Sequence, residues 1–118
     1  MIKISVDESA AFDAISILEI KISKSEGASK DKVKTSYEKL LGEVVCSVGA
    51  ERCAEIINSP YYTSLKKANE DVFDLVEMIE KSEDSDAKRA QQGNMKRYLA
   101  KKELQIFFFS DEQTEIKL

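Results

Sequence analysis

Apolar positions recur at three- and four-residue steps over most of this chain, the spacing of one helix face. The densest run is Ala10–Ile22, reading AAFDAISILEIKI. At about 100° per residue, Ala10, Ala11, Ile15, Ile17, Leu18 and Ile22 fill one side. Phe12 and Ile20 fall on the remaining arc, among Asp13, Ser16, Glu19 and Lys24. A surface helix carries a single apolar stripe. A segment apolar on most of its circumference therefore predicts a central helix wrapped by the later ones. Asp7 or Ser9 suits its N-cap, and Glu8 suits the positive end of its dipole. Ser25–Ser29, with Gly27, closes it.

A second helix is expected from Ser29 as N-cap to Val48, its stripe formed by Val33, Tyr37, Leu40, Leu41, Val44 and Val48. Gly42 lies opposite and Gly49 ends the helix. A short helical piece, Ala50–Asn58, turns Ala50, Cys53, Ala54 and Ile57 inward. Ser59-Pro60 is a helix start, because proline at the first position needs no N–H. The helix it opens reaches Lys81, with Tyr61, Leu65, Ala68, Val72, Leu75, Val76 and Ile79 on one arc. After the acidic connection Ser82–Asp86, a last helix runs from Asp86 to Phe109. It either continues through Gly93 or restarts at Asn94 as a cap. Met95, Leu99, Ile106 and Phe109 line its predicted inner face with Tyr98 at the edge, and Arg89, Lys96, Arg97 and Lys101 face away. Ile106–Phe109 points in all directions, which predicts an end buried on several sides. Met1–Val6 and Thr114–Leu118 alternate with period two, so a small two-stranded ribbon of the termini is expected. It would need support, since a lone ribbon is marginal.

These elements predict one all-α domain over residues 1–118, an antiparallel bundle of four main helices around Ala10–Ile22. Four Gly and one Pro in 118 residues fit helices with short loops. The net charge of −4 gives no general attraction to nucleic acid or an anionic membrane. No apolar run reaches the roughly 18 residues of a membrane span, and the N-terminus lacks an export signal. Cys46 and Cys53 read as small helical hydrophobes, which suits a cytoplasmic setting. Histidine and tryptophan are absent. Without an imidazole there is no Ser-His or Cys-His pair and no His-type zinc site, so the chain leans away from enzymes and implies no cofactor.

Three constellations carry what chemistry remains. Glu70, Asp74, Glu77 and Glu80 share one side of the fourth predicted segment, and Glu77–Glu80 is an ExxE. That motif resembles half of the Mg²⁺ site of all-α nucleotide pyrophosphohydrolases of the MazG type, whose oxygen ligands suit that ion. The next such spacing, Glu83–Asp86, lies too close to form the second helix of the site, and a solvated acidic face explains the carboxylates as well. Arg89, Lys96, Arg97 and Lys101 could hold phosphate or nucleic acid, or pair with the acidic helix for at most about 1 kcal/mol each. Glu19 and Lys21 sit in the central helix. Lys21 can snorkel to water, pair with a carboxylate, or line a pocket.

Ile2-Lys3-Ile4-Ser5-Val6, then Phe12-Asp13 and Ser16-Ile17-Leu18-Glu19-Ile20-Lys21, resembles an uncharacterised family of short, mostly helical proteins from bacteria, phages and marine sequence collections. Its members carry an N-terminal strand, an "ILEIK" helix and a charged C-terminal helix, which Asn94–Leu104 and Glu115-Ile116-Lys117 match in outline. The resemblance implies no activity and draws the eye to Asp13, Glu19 and Lys21. The apolar load of the first helix and of Ile106–Phe109 exceeds what one small bundle covers, so a homodimer through those segments is expected. The favoured function is a non-enzymatic interaction or accessory protein that meets itself and another protein. The alternative is the Mg²⁺-dependent nucleotide hydrolase.

Overall fold

The apolar spacing is realised as α-helices joined by short turns. The computed structural model describes residues 8–81 and 87–117, with side chains for residues 8–76 and 91–109. Its helices are α1 (Glu8–Lys24), α2 (Gly27–Val48), α3 (Ala50–Ile57), α4 (Pro60–Lys81) and α5 (Ala87–Lys117). α1 packs against α2, α4 and α5, the central position that its apolar circumference predicts. The chain is an all-α bundle around α1.

One core joins all five helices: Phe12 and Ile15 of α1 meet Val44, Cys53, Ile56, Leu65 and Leu104. Each fully buried aliphatic side chain stabilises the fold by roughly 1.5–3 kcal/mol. The buried side of α1 is not the one its small apolar residues predict. Phe12, Ile15 and Ile20 are almost wholly enclosed, while Ile17, Leu18 and Ile22 are half-buried. Phe12 is the largest side chain of the helix, and turning it inward carries Ser9 and Ser16 into the interior with it.

Local signals account for most of the boundaries. The Ser59 hydroxyl accepts from the Tyr62 amide at 3.2 Å and donates to the Ile56 carbonyl at 2.6 Å, so it caps α4 and ties it to α3. Gly49, at φ 93° and ψ 148°, takes a conformation reserved for glycine, ending α2 and opening α3. The stripe of α2 is buried or half-buried throughout. α2 starts at Gly27 rather than after Ser29, with Glu26 at the N-cap and no side-chain bond there. Ser9 lies inside α1 rather than capping it. Asp7 lies outside the described residues, as does the expected strand Met1–Val6. In α3 the buried residues are Cys53 and Ile56. Ala50 and Ala54, predicted to face inward, are exposed.

α5 departs most from its pattern. It runs unbroken through Gly93, and its non-helical backbone is at Phe109 (φ −131°, ψ 15°). Beside that kink, Arg52 donates to the Phe108 carbonyl and stacks over the Phe109 ring at 4.9 Å. The helix continues to Lys117, so Thr114–Lys117 is helical and the strand expected there is corrected. Extending an existing helix adds one hydrogen bond per residue, whereas a terminal ribbon has little to support it. The inner face is also corrected. Ala100, Leu104, Gln105 and Phe109 are buried, whereas Met95, Leu99 and Ile106 are about half exposed, at 57, 50 and 48 %. Phe107 is exposed too, so the aromatic end is only partly enclosed by its own chain.

α4 and α5 lie antiparallel, with Tyr61 stacked on Phe107 at 4.3 Å and Val72 beside Gly93. A Cβ on Gly93 would stand 3.1 Å from the Val72 Cγ2 methyl, so glycine lets these helices approach. Gly42 has nothing within 4 Å of the same atom. Gly42→Ala should therefore stabilise the protein by about 0.5–1 kcal/mol in urea unfolding. Gly93→Ala should gain less than Gly42→Ala or lose stability, and equal gains would contradict this packing.

Candidate functional site

Polar side chains on the buried side of α1 need partners, because an unpaired buried polar group costs about 1–3 kcal/mol. α4 and α5 supply them at three levels. At the first, the Gln105 Oε1 accepts from the Ser9 amide at 2.9 Å, and its Nε2 donates to Glu8 at 3.1 Å. A first-turn N–H, which no helical carbonyl can reach, is thus satisfied from the last helix.

At the second level, the Asn69 amide nitrogen donates to Asp13 Oδ1 at 2.8 Å and to Ser16 Oγ at 2.7 Å. Ser16 in turn donates to the Asp13 carbonyl at 2.7 Å. The Asp13 carboxylate fixes the orientation of Asn69, since a flipped amide would set oxygen against oxygen. Arg97 reaches the other Asp13 oxygen at 3.4 Å. Among the described residues the Asn69 Oδ1 and Arg97 Nε are buried without a partner.

The third level is the half-buried Glu19. It accepts a short hydrogen bond from the Tyr62 hydroxyl and has Lys66 at 3.9 Å. Burial first, and then the bond to Glu19, hold the Tyr62 phenol well above its ordinary pKa of 10.0. Burial also raises Tyr37 and Cys53, with Glu19 adding to the shift at Tyr37.

Of the residues singled out from sequence, Asp13 and Glu19 belong to this row, whereas Lys21 is exposed. Asp74 pairs with Lys24 at 3.3 Å on the surface, and Asp71 pairs with Lys67 at 3.2 Å. Glu70 is half-buried, and the side chains of Glu77 and Glu80 lie outside those described. Among the described residues no three His, Cys, Asp or Glu side chains group as metal ligands. Arg97 and Lys101, expected to face away, turn toward α1 and line one pocket of about 160 Å³ with Asp13, Asn94 and Tyr98. Lys96 lies on the α4 side, in a groove of about 430 Å³ with Lys67, Asp71, Leu99 and Glu103. The side chain of Arg89 lies outside those described. Sequence reasoning missed Asn69, Gln105 and Tyr62. A polar residue one turn beyond Leu65, inside the apolar arc of α4, was a usable signal for Asn69.

Met95, Leu99 and Ile106, with the exposed Lys102, make a second feature: a stripe on the side of α5 opposite Ala100 and Leu104. Comparison with protein-family models, with curated proteins and with solved structures finds no match to the chain.

The Tyr62 bond has a pH signature. Its phenol ionises near pH 10 when unfolded but keeps its proton in the fold. The folded state then binds more protons, so stability falls as pH rises above about 10. The limiting contribution is about 1.4 kcal/mol per pH unit. Tyr62→Phe should cost about 1 kcal/mol at neutral pH and flatten that alkaline fall, leaving the slopes due to Tyr37 and Cys53. An unchanged slope in urea unfolding at pH 9–11 would contradict the assignment.

Proposed function

We propose that this protein is a non-enzymatic interaction or accessory module that acts as a homodimer through α5. The carrying observation is the exposed stripe of Met95, Leu99 and Ile106, which repeats with Lys102 at four-, three- and four-residue steps. That is the spacing of a helix–helix seam. The pairing expected through the first helix and Ile106–Phe109 is proposed here mainly for α5, a reading supported by the packing of α2, α4 and α5 against α1.

Antiparallel pairing about a two-fold axis sets Met95 against Ile106 of the second copy, and Leu99 against the aliphatic stem of Lys102. The flanking charges fit the same register. Lys96 and Glu103 are exposed on one side of the stripe, and the two-fold brings each opposite the other, twice. A standard interface of about 800 Å² per partner would extend from the stripe into the neighbouring α4–α5 groove. The exposed free thiol of Cys46 suits a reducing, cytoplasmic setting. The remaining charged faces are left for another protein.

Sedimentation velocity at micromolar concentration should find a dimer. Leu99→Glu should give a folded monomer. Lys96→Glu should weaken association about thirtyfold or less, as the two exposed pairs are worth at most about 1 kcal/mol each, and adding Glu103→Lys should restore it. A wild-type monomer, or a dimer indifferent to Leu99→Glu, would overturn the proposal.

A further inference from the structure

We infer that the cleft between α1 and α5 binds a small oxyanion that still carries a proton at neutral pH, of the inorganic phosphate class. Asn94, Arg97, Tyr98 and Lys101 recur on α5 at three- and four-residue steps and line the cleft together, opposite Asp13 of α1. One helix therefore lines a single space with an arginine, a lysine, an asparagine and a tyrosine. Arg97 is positioned by Asp13, which Asn69 itself holds in place.

Charge within the cleft does not balance. Arg97 has Asp13 as its partner. Lys101 is half-buried, and no described carboxylate pairs with it. Two cations face one carboxylate, a local excess of one positive charge in a chain of net −4. Arginine and lysine supply the charge-assisted donors that an oxyanion needs. At about 160 Å³ the cleft is smaller than the roughly 300–1,000 Å³ of pockets for drug-sized ligands. It suits one small oxyanion.

Asp13 sets the selectivity. An ionised carboxylate only accepts hydrogen bonds. It repels an anion with no proton to offer, and it accepts from one that has a proton. Inorganic phosphate retains a proton at neutral pH and sulfate retains none, so the cleft should discriminate between two ions of the same shape. Arg97 and Lys101 face α1, on the other side of Tyr98 from the exposed stripe, so this inference does not depend on dimer formation.

The test follows amide and side-chain NMR signals of the full chain, titrated with inorganic phosphate, sulfate or chloride at constant ionic strength. Phosphate should shift Asn94 and Tyr98 saturably, with low-millimolar or tighter affinity, while sulfate leaves them in place. Lys101→Met should weaken phosphate binding about tenfold or more, with its spectrum confirming the fold, and Lys39→Met on α2 should not. No saturable shift, equal binding of sulfate, or binding indifferent to Lys101→Met would overturn the inference.

Discussion

The polar groups that α1 brings into the interior must be answered by particular atoms of α4 and α5. Apolar packing tolerates some sliding and rotation, but a buried amide, hydroxyl or carboxylate does not. A satisfied hydrogen bond contributes only about 0.5–1.5 kcal/mol net, while an orphaned partner costs about 1–3. The row Ser9, Asp13, Ser16 and Glu19 therefore acts mainly as a filter on how helices dock. Docked in another register, α4 and α5 would leave Asn69, Gln105 and several α1 groups without partners.

That filter decides which way α5 faces. Gln105 reaches the first turn of α1 and Arg97 reaches Asp13, and Ala100 and Leu104, on the arc beside Arg97, enter the core. The opposite side of the same helix then carries Met95, Leu99 and Ile106 outward. An inner polar requirement thus produces an outer apolar surface. It also sets Arg97 and Lys101 together along the edge of α1. The proposed dimer seam and the proposed oxyanion cleft are two consequences of one rotation of α5 about its axis.

Much of the fold was legible from spacing and punctuation. The Ser59-Pro60 start of α4, the stripe of α2 and the glycine that separates α2 from α3 all follow from local rules, and local rules govern them. The facing of α1 and α5 was not legible in the same way. Periodicity finds apolar arcs, but it cannot say whether an arc meets the chain's own core or something else. On α5 the more apolar arc lies outside, and Arg97 lies within. On α1 a large Phe12 outweighed several smaller residues. Gly93 left open whether the helix continues or restarts, because its reason, the Val72 methyl on another helix, is not local. Asp13 and Glu19 were singled out in the sequence, but their partners Asn69 and Tyr62 emerge only when distant segments meet.

The central claim is that Asp13 and Asn69 are directly coupled across α1 and α4. A double-mutant cycle with Asp13→Ala and Asn69→Ala, by urea unfolding at fixed protein concentration, tests it most directly. The hydrogen bond to a charged group predicts a coupling energy of about 1.5–3 kcal/mol. Strictly additive losses would mean that the two side chains do not meet, and the docking of α4 on α1 described here would be wrong.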